Sequence, residues 1–162
     1  MKRPDIAIMI ANMTGLKLKI VGGSFTYNKQ YLQAIKNLSE ANPNVELHID
    51  APENLKLQIL SKAKCTIVPS TFGEPFGLVA VESMACGTPV VATPDGALPE
   101  VVKHGKTGYI ASSLTEMAEY VLNIDSINPK ECRKHVERHF TKEKMAENYL
   151  KLYKQILNGD EW

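Results

Sequence analysis

Short apolar runs alternate with amphipathic stretches along most of the chain. Residues 16–21 alternate between apolar and lysine positions and stop at Gly22-Gly23, which predicts a strand that enters a glycine turn. Residues 28–41 instead carry Tyr31, Ile35 and Leu38 on one face at helical spacing. By the same criteria we expect further strands at 45–49, 65–68, 90–92 and 109–110, and further helices at 4–13, 53–63, 78–86 and 98–103.

The order of these elements predicts the fold class. Strands that alternate with helices give a parallel sheet with helices on both faces, so we expect a Rossmann-like, doubly wound α/β domain. Residues 1–162 are expected to form this single domain, with a helical tail from about 112 to 162. Apolar residues recur at helical spacing in the tail and are interpreted as packing residues: Tyr149, Leu152, Tyr153 and Ile156. Trp162 would either cap that packing or be disordered.

Composition narrows the class of protein. Of the 162 residues, 44% are hydrophobic and 23% charged, which is ordinary for a folded globular domain. With 19 basic and 18 acidic residues the net charge is only +1, so no nucleic acid partner is expected. No apolar run approaches the roughly 20 residues that span a bilayer, and the start lacks a signal-peptide cleavage pattern. Cys65, Cys86 and Cys132 form no metal-like spacing and fit reduced thiols, so we expect a cytoplasmic protein.

Residues 70–100 contain the strongest candidate for a site. Two carboxylates, Glu74 and Glu82, are separated there by seven residues. The residues around Glu74 are rich in Ser, Thr, Gly and Pro and follow a predicted strand, which indicates a loop at the end of a parallel sheet where ligands bind. Glu82 is expected about a turn and a half into a buried helix that ends at Gly87.

This arrangement suits a ligand that has sugars on both sides of a phosphate. A helix N-terminus presents N–H groups and a partial positive charge to phosphate, and Gly77 allows a ligand to approach the backbone of residues 76–79. An ionised carboxylate accepts hydrogen bonds from vicinal hydroxyls. Each glutamate also has a simpler explanation, because loop and helix glutamates are usually solvated surface charges. Glu82 is the more informative one, since it interrupts an apolar helix and a buried carboxylate needs partners.

The longer motif GEPFGLVAVESMACGTPVVATPDGALPEVVKHGKTGYI resembles the donor-binding domain of retaining glycosyltransferases of family 4, which have the GT-B fold. The hallmark of that family is a Glu, seven residues and a second Glu, followed by an ACG-PV-AT segment and a G-PE-V segment. The match is dense over residues 69–110 and weaker toward both ends, and it covers nearly the whole chain. The resemblance implies the Rossmann-like C-terminal half of a GT-B enzyme.

The resemblance also implies roles for individual residues. Glu74 would be catalytic and would contact hydroxyls of the transferred sugar near the reacting centre. Glu82 would bind the ribose hydroxyls. Sugar or diphosphate oxygens would be held by the backbone amides of Phe76, Gly77 and Leu78.

The sequence departs from the family pattern at two places. Lys2 stands where the family has a lysine that contacts the diphosphate, but Arg3 replaces the glycine that usually follows. Ala97 replaces the second glycine of the family's GGLPE segment, which leaves that loop in place.

The implied reaction is transfer of a sugar with retention, from a UDP-, GDP- or ADP-linked donor, through an oxocarbenium-like state. Helix amides and Lys2 would stabilise the departing diphosphate, so no cofactor or metal is expected, and the sequence contains no Asp-x-Asp. A two-carboxylate hydrolase is the rival interpretation of the glutamate pair. We set it aside because Glu82 would lie more than a helical turn behind the loop of Glu74.

The resemblance further implies that parts of an enzyme lie outside this chain. The family's domain opens with a central strand, and this chain begins just after it, so the sheet has a gap unless residues 16–21 pair with 65–68 or another chain contributes a strand. An N-terminal acceptor-binding domain or a partner chain is expected, and through it the protein could lie at a membrane surface. The alternative function is a non-catalytic nucleotide-sugar binding module or subunit; a GT-B epimerase relative would explain the glutamate pair less well.

Overall fold

The computed structural model describes residues 2–25 and 28–159. Trp162 lies outside these residues, so its two expected roles stay predictions. In chain order the elements are α1 (Pro4–Thr14), β1 (Leu18–Gly22), α2 (Lys29–Glu40), β2 (Val45–Ile49), α3 (Glu53–Lys62), β3 (Thr66–Val68), α4 (Leu78–Ala85), β4 (Val90–Ala92), α5 (Leu98–Val101), β5 (Gly108–Ile110), α6 (Leu114–Leu122), a 3₁₀ turn (Ile124–Ser126), α7 (Pro129–His139) and α8 (Lys142–Leu157).

Within the described residues, the strands form two separate parallel sheets. In one sheet β1 pairs with β2, and Leu18 lies opposite Val45. In the other sheet β4 lies between β3 and β5, so that Val90 is opposite both Thr66 and Gly108. The described strands β1 and β3 do not pair, and the break expected in the sheet is therefore present.

The predicted fold class, a Rossmann-like α/β domain that ends in helices, is confirmed. Its element boundaries agree within two residues; β1 begins at Leu18 and not at residue 16, and α5 ends at Val101 and not at residue 103. Val102 is already extended, with φ −96° and ψ 116°. The chain then turns, and Thr107 N donates to Lys103 O at 2.9 Å, which leads directly into β5.

The core is divided unequally between the two sheets. The larger cluster surrounds β4, whose three residues are fully buried, and it extends to the helices α4 to α7. The smaller cluster consists of four buried residues: Ile8, Ala11, Ile35 and Val45. Helix α1 contributes to both clusters, because Ile10 packs in the larger one and Ile8 in the smaller one. It therefore connects the two parts of the domain.

Buried hydrogen bonds fix α4 against the larger sheet. Ser83 Oγ donates to Thr88 O at 2.9 Å and lies 2.7 Å from Thr66 Oγ1 on β3. Thr88 Oγ1 donates to Leu60 O at the end of α3 over 2.6 Å. At the far end, Arg133 Nη1 donates to Ala85 O at 2.7 Å, which ties α7 to the last turn of α4. The position of α4 is thus set from three sides.

Helix α8 contradicts one expectation from the sequence. Its residues were expected to pack, yet the helix has no buried residue, and Tyr149 and Tyr153 are 53% and 55% exposed. Among the described residues the core ends at Val136 in α7, so α8 starts beyond the last layer of packing. No helix in residues 2–25 or 28–159 combines the length and apolar character needed to cross a bilayer.

Candidate functional site

Helix α4 begins directly after Gly77, whose φ is +91°. A Cβ at this position would lie 2.9 Å from Leu98 Cδ2, so both the backbone conformation and the available space favour glycine. The amides of Leu78 and Val79 occupy the first two helical positions and have no acceptor within residues 2–25 and 28–159. The first turn of α4 therefore offers N–H donors to a ligand.

Glu74 lies beside this helix start. Its Cγ is 3.8 Å from the point that a Cβ on Gly77 would occupy, and the residue is only 5% exposed. Lys2 Nζ donates to Glu74 Oε2 and lies 4.8 Å from the centroid of the Phe72 ring. A carboxylate this buried needs a partner, and Lys2 supplies the compensating charge from a side chain that is 59% exposed.

The backbone conformation of Arg3, the residue after Lys2, shows why the family usually has glycine at this position. Arg3 adopts the left-handed conformation, with φ 51° and ψ 53°, at the residue that precedes α1. Glycine reaches this conformation without strain, which accounts for the glycine that is usual there. In this chain Arg3 Nε and Nη2 instead donate to the Asp5 carboxylate at 3.0 and 2.8 Å, which holds the strained residue in place.

The turn after β4 holds the backbone of the Glu74 loop. We call this segment, residues 93–97, the clamping turn. Ala97 N donates to Glu74 O at 2.8 Å. Gly96, the residue before Ala97, lies so close to the loop that a Cβ on it would be 2.2 Å from Glu74 O. Gly96 has φ +55°, so a larger residue there would be strained as well as crowded.

Asp95 belongs to the same turn and binds the loop through its side chain. Its carboxylate accepts hydrogen bonds from the amides of Phe72, Gly73 and Glu74, each at 3.1 Å. Desolvation raises the pKa of Asp95, but hydrogen bonds, chiefly those from the N–H groups of these three residues, lower that pKa below the ordinary value of 3.8. The side chain is therefore a carboxylate at neutral pH.

Glu82 forms a second pair of carboxylate and lysine. Lys56 Nζ on α3 lies 3.1 Å from Glu82 Oε1 and 3.2 Å from Oε2. The glutamate side chain is 38% exposed, so its environment is only half-buried, less than the apolar sequence around it suggests. One Lys–Glu pair thus lies before the start of α4, and the other lies in its second turn.

Comparison with known proteins identifies the family. The model of the group 1 glycosyl transferases matches residues 6–143, which include both glutamates, the start of α4 and the clamping turn. The chain belongs to the group 1 glycosyl transferases.

Curated relatives are much longer than the chain. The D-inositol 3-phosphate glycosyltransferase of Pseudarthrobacter chlorophenolicus is 37% identical over 112 residues, which are 67% of this chain and 24% of the relative. The chain thus spans about a quarter of that protein.

Solved structures show the same fold. AviGT4, a glycosyltransferase involved in avilamycin A biosynthesis, matches with a TM-score of 0.80 and 23% identity over 99% of this chain and 50% of AviGT4. Alr3699/HepE of Anabaena, solved with UDP and glucose, matches with a TM-score of 0.77 and 22% identity over 91% of this chain and 44% of that protein. The domain therefore corresponds to half or less of each solved chain.

The structure brings most of the site residues predicted from the sequence to one place. Lys2, Glu74 and Gly77 meet at the start of α4. Phe76 is 40% exposed there, and its ring meets the ring of Phe140 edge-on at 5.8 Å. Their roles toward a ligand stay predictions.

Two residues of the site were not predicted from the sequence. They are Lys56, which binds Glu82, and Asp95, which binds the loop of Glu74. No local sequence pattern indicates that α3 lies beside α4, so the sequence does not predict the contact between Lys56 and Glu82. Asp95 did carry one, because an aspartate between Pro94 and Gly96 is typical of a residue that binds nearby backbone amides. Residues 2–25 and 28–159 contain no group of three or more His, Cys, Asp or Glu side chains that could hold a metal ion.

Proposed function

We propose that this chain is the donor-binding half of a retaining, metal-independent family 4 glycosyltransferase, which transfers a sugar from a nucleoside diphosphate sugar to an acceptor. The observation that carries the proposal is the arrangement on one strand-loop-helix unit: Glu74 in the loop, donors in the first turn of α4, and Glu82 one turn further on. Carboxylates bind sugar hydroxyls, and helix N-termini bind phosphate.

The diphosphate would lie at the start of α4. The amides of Leu78 and Val79 have no acceptor among the described residues and would donate to phosphate oxygens. Lys2 would exchange Glu74 for the diphosphate, since its long and exposed side chain can reach a ligand on the outer side of the loop. Charge that develops on the departing diphosphate would then be stabilised by groups of the chain itself.

The two glutamates would bind the two sugars of the donor. Glu74 is buried next to Gly77 and would accept hydrogen bonds from the transferred sugar once Lys2 has moved. Glu82 is half-exposed and would bind the ribose hydroxyls, with Lys56 holding its carboxylate in position.

The relatives support a nucleotide-linked donor and a second domain. Alr3699/HepE was solved with UDP and glucose, and the P. chlorophenolicus relative is a D-inositol 3-phosphate glycosyltransferase. Because this chain matches 44% of the first protein and 24% of the second, we infer that an N-terminal acceptor-binding domain or partner chain completes the cleft.

Calorimetric titration of the full chain tests donor binding. UDP, GDP and ADP are titrated first, followed by a sugar conjugate of the base that binds. Glu82→Ala is expected to weaken nucleoside diphosphate binding about 10- to 100-fold, because a charged hydrogen-bond partner contributes about 1.5–3 kcal/mol. Glu119→Ala, on an exposed position of α6, is the matched control and should bind like the original chain.

Two results would contradict the proposal. Absence of binding with all three nucleoside diphosphates would exclude a donor site, and equal affinities of Glu82→Ala and Glu119→Ala would exclude Glu82 from it. Catalysis is tested with a complex restored by an N-terminal domain. Glu74→Ala should abolish sugar transfer there, whereas unchanged function of that variant would favour a non-catalytic binding module.

A further inference from the structure

Asp95 makes a connection between neighbouring strand ends that goes beyond the roles proposed so far. It follows β4, yet its carboxylate reaches the loop that follows β3 and accepts the amides of Phe72, Gly73 and Glu74 at 3.1 Å each. One side chain therefore organises three successive residues, the last of which is the buried glutamate. A three-fold contact of this kind fixes both the path and the orientation of the loop.

At residues 72 and 73 the loop has little other support, although Thr93 Oγ1 donates to Ser70 O at 2.7 Å where the loop starts and Lys2 binds the Glu74 side chain at its end. Phe72 is 48% exposed, and the space around Gly73, whose φ is +76°, is open to at least 4 Å at the position of a Cβ. Among the described residues, the other backbone bond between the loop and the turn is the one from Ala97 N to Glu74 O. That bond holds the carbonyl of Glu74 alone. The amides of residues 72–74 depend on Asp95.

We propose that Asp95 is a positioning residue that sets Glu74 against the donor sugar and thereby determines how strongly the site prefers a nucleoside diphosphate sugar to the bare nucleoside diphosphate. This inference rests on the proposed function. Asp95 acts through Glu74 and does not itself touch the donor.

The negative charge of the Asp95 side chain strengthens its hydrogen bonds to the loop amides, in addition to the fit of its shape. A carboxylate presents two acceptor oxygens to the three amides, whereas an asparagine presents one oxygen and a donor NH₂ group that faces N–H groups unfavourably. The lowered pKa of Asp95 agrees with this, since the amides favour its charged form. Asn at this position is therefore expected to preserve only part of the clamp, which is the set of hydrogen bonds from the amides of residues 72–74 to the side chain of residue 95.

The nucleotide part of the site lies outside the clamp apart from Lys2, which precedes α1 and contacts Glu74 and Phe72 only through the end of its side chain. The first turn of α4 is fixed by its own packing, with Gly77 against Leu98, and Glu82 is held by Lys56 from α3. Neither contact involves Asp95. Loss of the clamp should consequently spare nucleoside diphosphate binding and remove the additional affinity that the sugar provides.

The test compares two dissociation constants for each variant of the full chain, one for the nucleoside diphosphate and one for its sugar conjugate. In Asp95→Ala the ratio of the two is expected to fall about tenfold, to the value found in Glu74→Ala. Asp95→Asn should give an intermediate ratio. The double variant should be no worse than either single one, because both remove the same contact. Asp125→Ala, which removes an exposed partner of Lys64, is the matched control.

In Asp95→Ala and Asp95→Asn, nucleoside diphosphate binding within about twofold of the original chain confirms in the same experiment that these variants are folded. The inference is overturned if Asp95→Ala keeps the original ratio, or if it weakens both ligands equally, as general destabilisation would. It is also overturned if the original chain does not distinguish the two ligands. In these cases the proposed function survives as long as Glu82→Ala weakens nucleoside diphosphate binding. Absence of any binding by the original chain would overturn both.

Discussion

Strand β4 and strand β1 are both parallel and largely apolar, but they are buried very differently. All three residues of β4 are fully buried, whereas β1 contains no buried residue. The reason is their neighbourhood: β4 has a strand on each side and helices over it, while β1 is paired only with β2 among the described strands. The three-stranded part therefore has the rigidity of a packed interior, and the two-stranded part depends on four buried residues.

This difference places the candidate site on the better-packed part. The loop of Glu74, the helix α4 and the clamping turn all belong to β3, β4 and their connections. Lys2 alone comes from the segment next to α1, which joins the two parts. The residues proposed to bind the donor are thus mostly held on a stiff scaffold, with one charge supplied from the looser side.

The largest expected difference between the two parts concerns a pair of strand glycines. A Cβ on Gly108 in β5 would lie 1.9 Å from Val90 O, while Gly22 in β1 has nothing within 4 Å. Gly108→Ala should lower the free energy of unfolding by about 3 kcal/mol or more, because the β4–β5 ladder must move. Gly22→Ala should change it by less than about 0.5 kcal/mol. Urea denaturation measures both, and similar losses in the two variants would contradict the comparison.

A smaller contrast is expected on the helix that joins the two clusters. Ile10 is fully buried in the larger cluster, and Ile8 on the same helix is buried in the smaller one. Because both changes to Ala leave helix propensity equal, the difference between them reports packing. We expect losses of about 4 kcal/mol for Ile10→Ala and about 2 kcal/mol for Ile8→Ala, since the wall of the smaller cluster can collapse more easily. The opposite order in urea denaturation would refute this interpretation.

The smallest expected effect is electrostatic and belongs to the two-stranded part. Arg3 donates to Asp5 and lowers the pKa of that carboxyl below its ordinary value of 3.8, with help from Tyr31 Oη at 2.5 Å. A lowered pKa in the folded state gives stability that is present above pH 3.8 and is lost as the pH falls through the folded value. Asp5→Asn should therefore flatten the change in unfolding free energy between neutral pH and about pH 3.

Thermal unfolding of the original chain and of Asp5→Asn, measured between neutral pH and about pH 3, tests this expectation. Tyr31→Phe is a second variant that keeps the ion pair and removes only the phenol contact. It should retain most of the acid dependence. A pH profile of Asp5→Asn that matches the original chain would show that this carboxyl does not contribute.

Much of the fold could be predicted because its signals are local. The alternation at residues 45–49 and the Gly and Pro residues around α4 placed those elements at their observed positions. The motif around Glu74 and Glu82 likewise directed attention to the correct strand-loop-helix unit. What these signals have in common is that each is contained within a few consecutive residues.

The remaining features depend on contacts between distant residues. Lys56 lies 26 positions before Glu82, and Asp95 lies 21 positions after Glu74. Helix α8 shows the converse failure: its apolar spacing is typical of a packed helix, but spacing does not say whether a partner surface exists in the chain. Whether β1 would pair with β3 was undecidable for the same reason.

The division into two sheets has a practical consequence for the behaviour of the protein in solution. A single sheet has two outer strands, whereas the two sheets in residues 2–25 and 28–159 together have four, and an outer strand has one row of backbone N–H and C=O groups without a ladder partner. Lys19, half-exposed on β1 and paired with Glu46, places charge along one of these strands. Strand β3 has only three residues, which limits how much ladder a second molecule can add to it. We therefore expect any concentration-dependent association of this domain to include strand pairing at these edges.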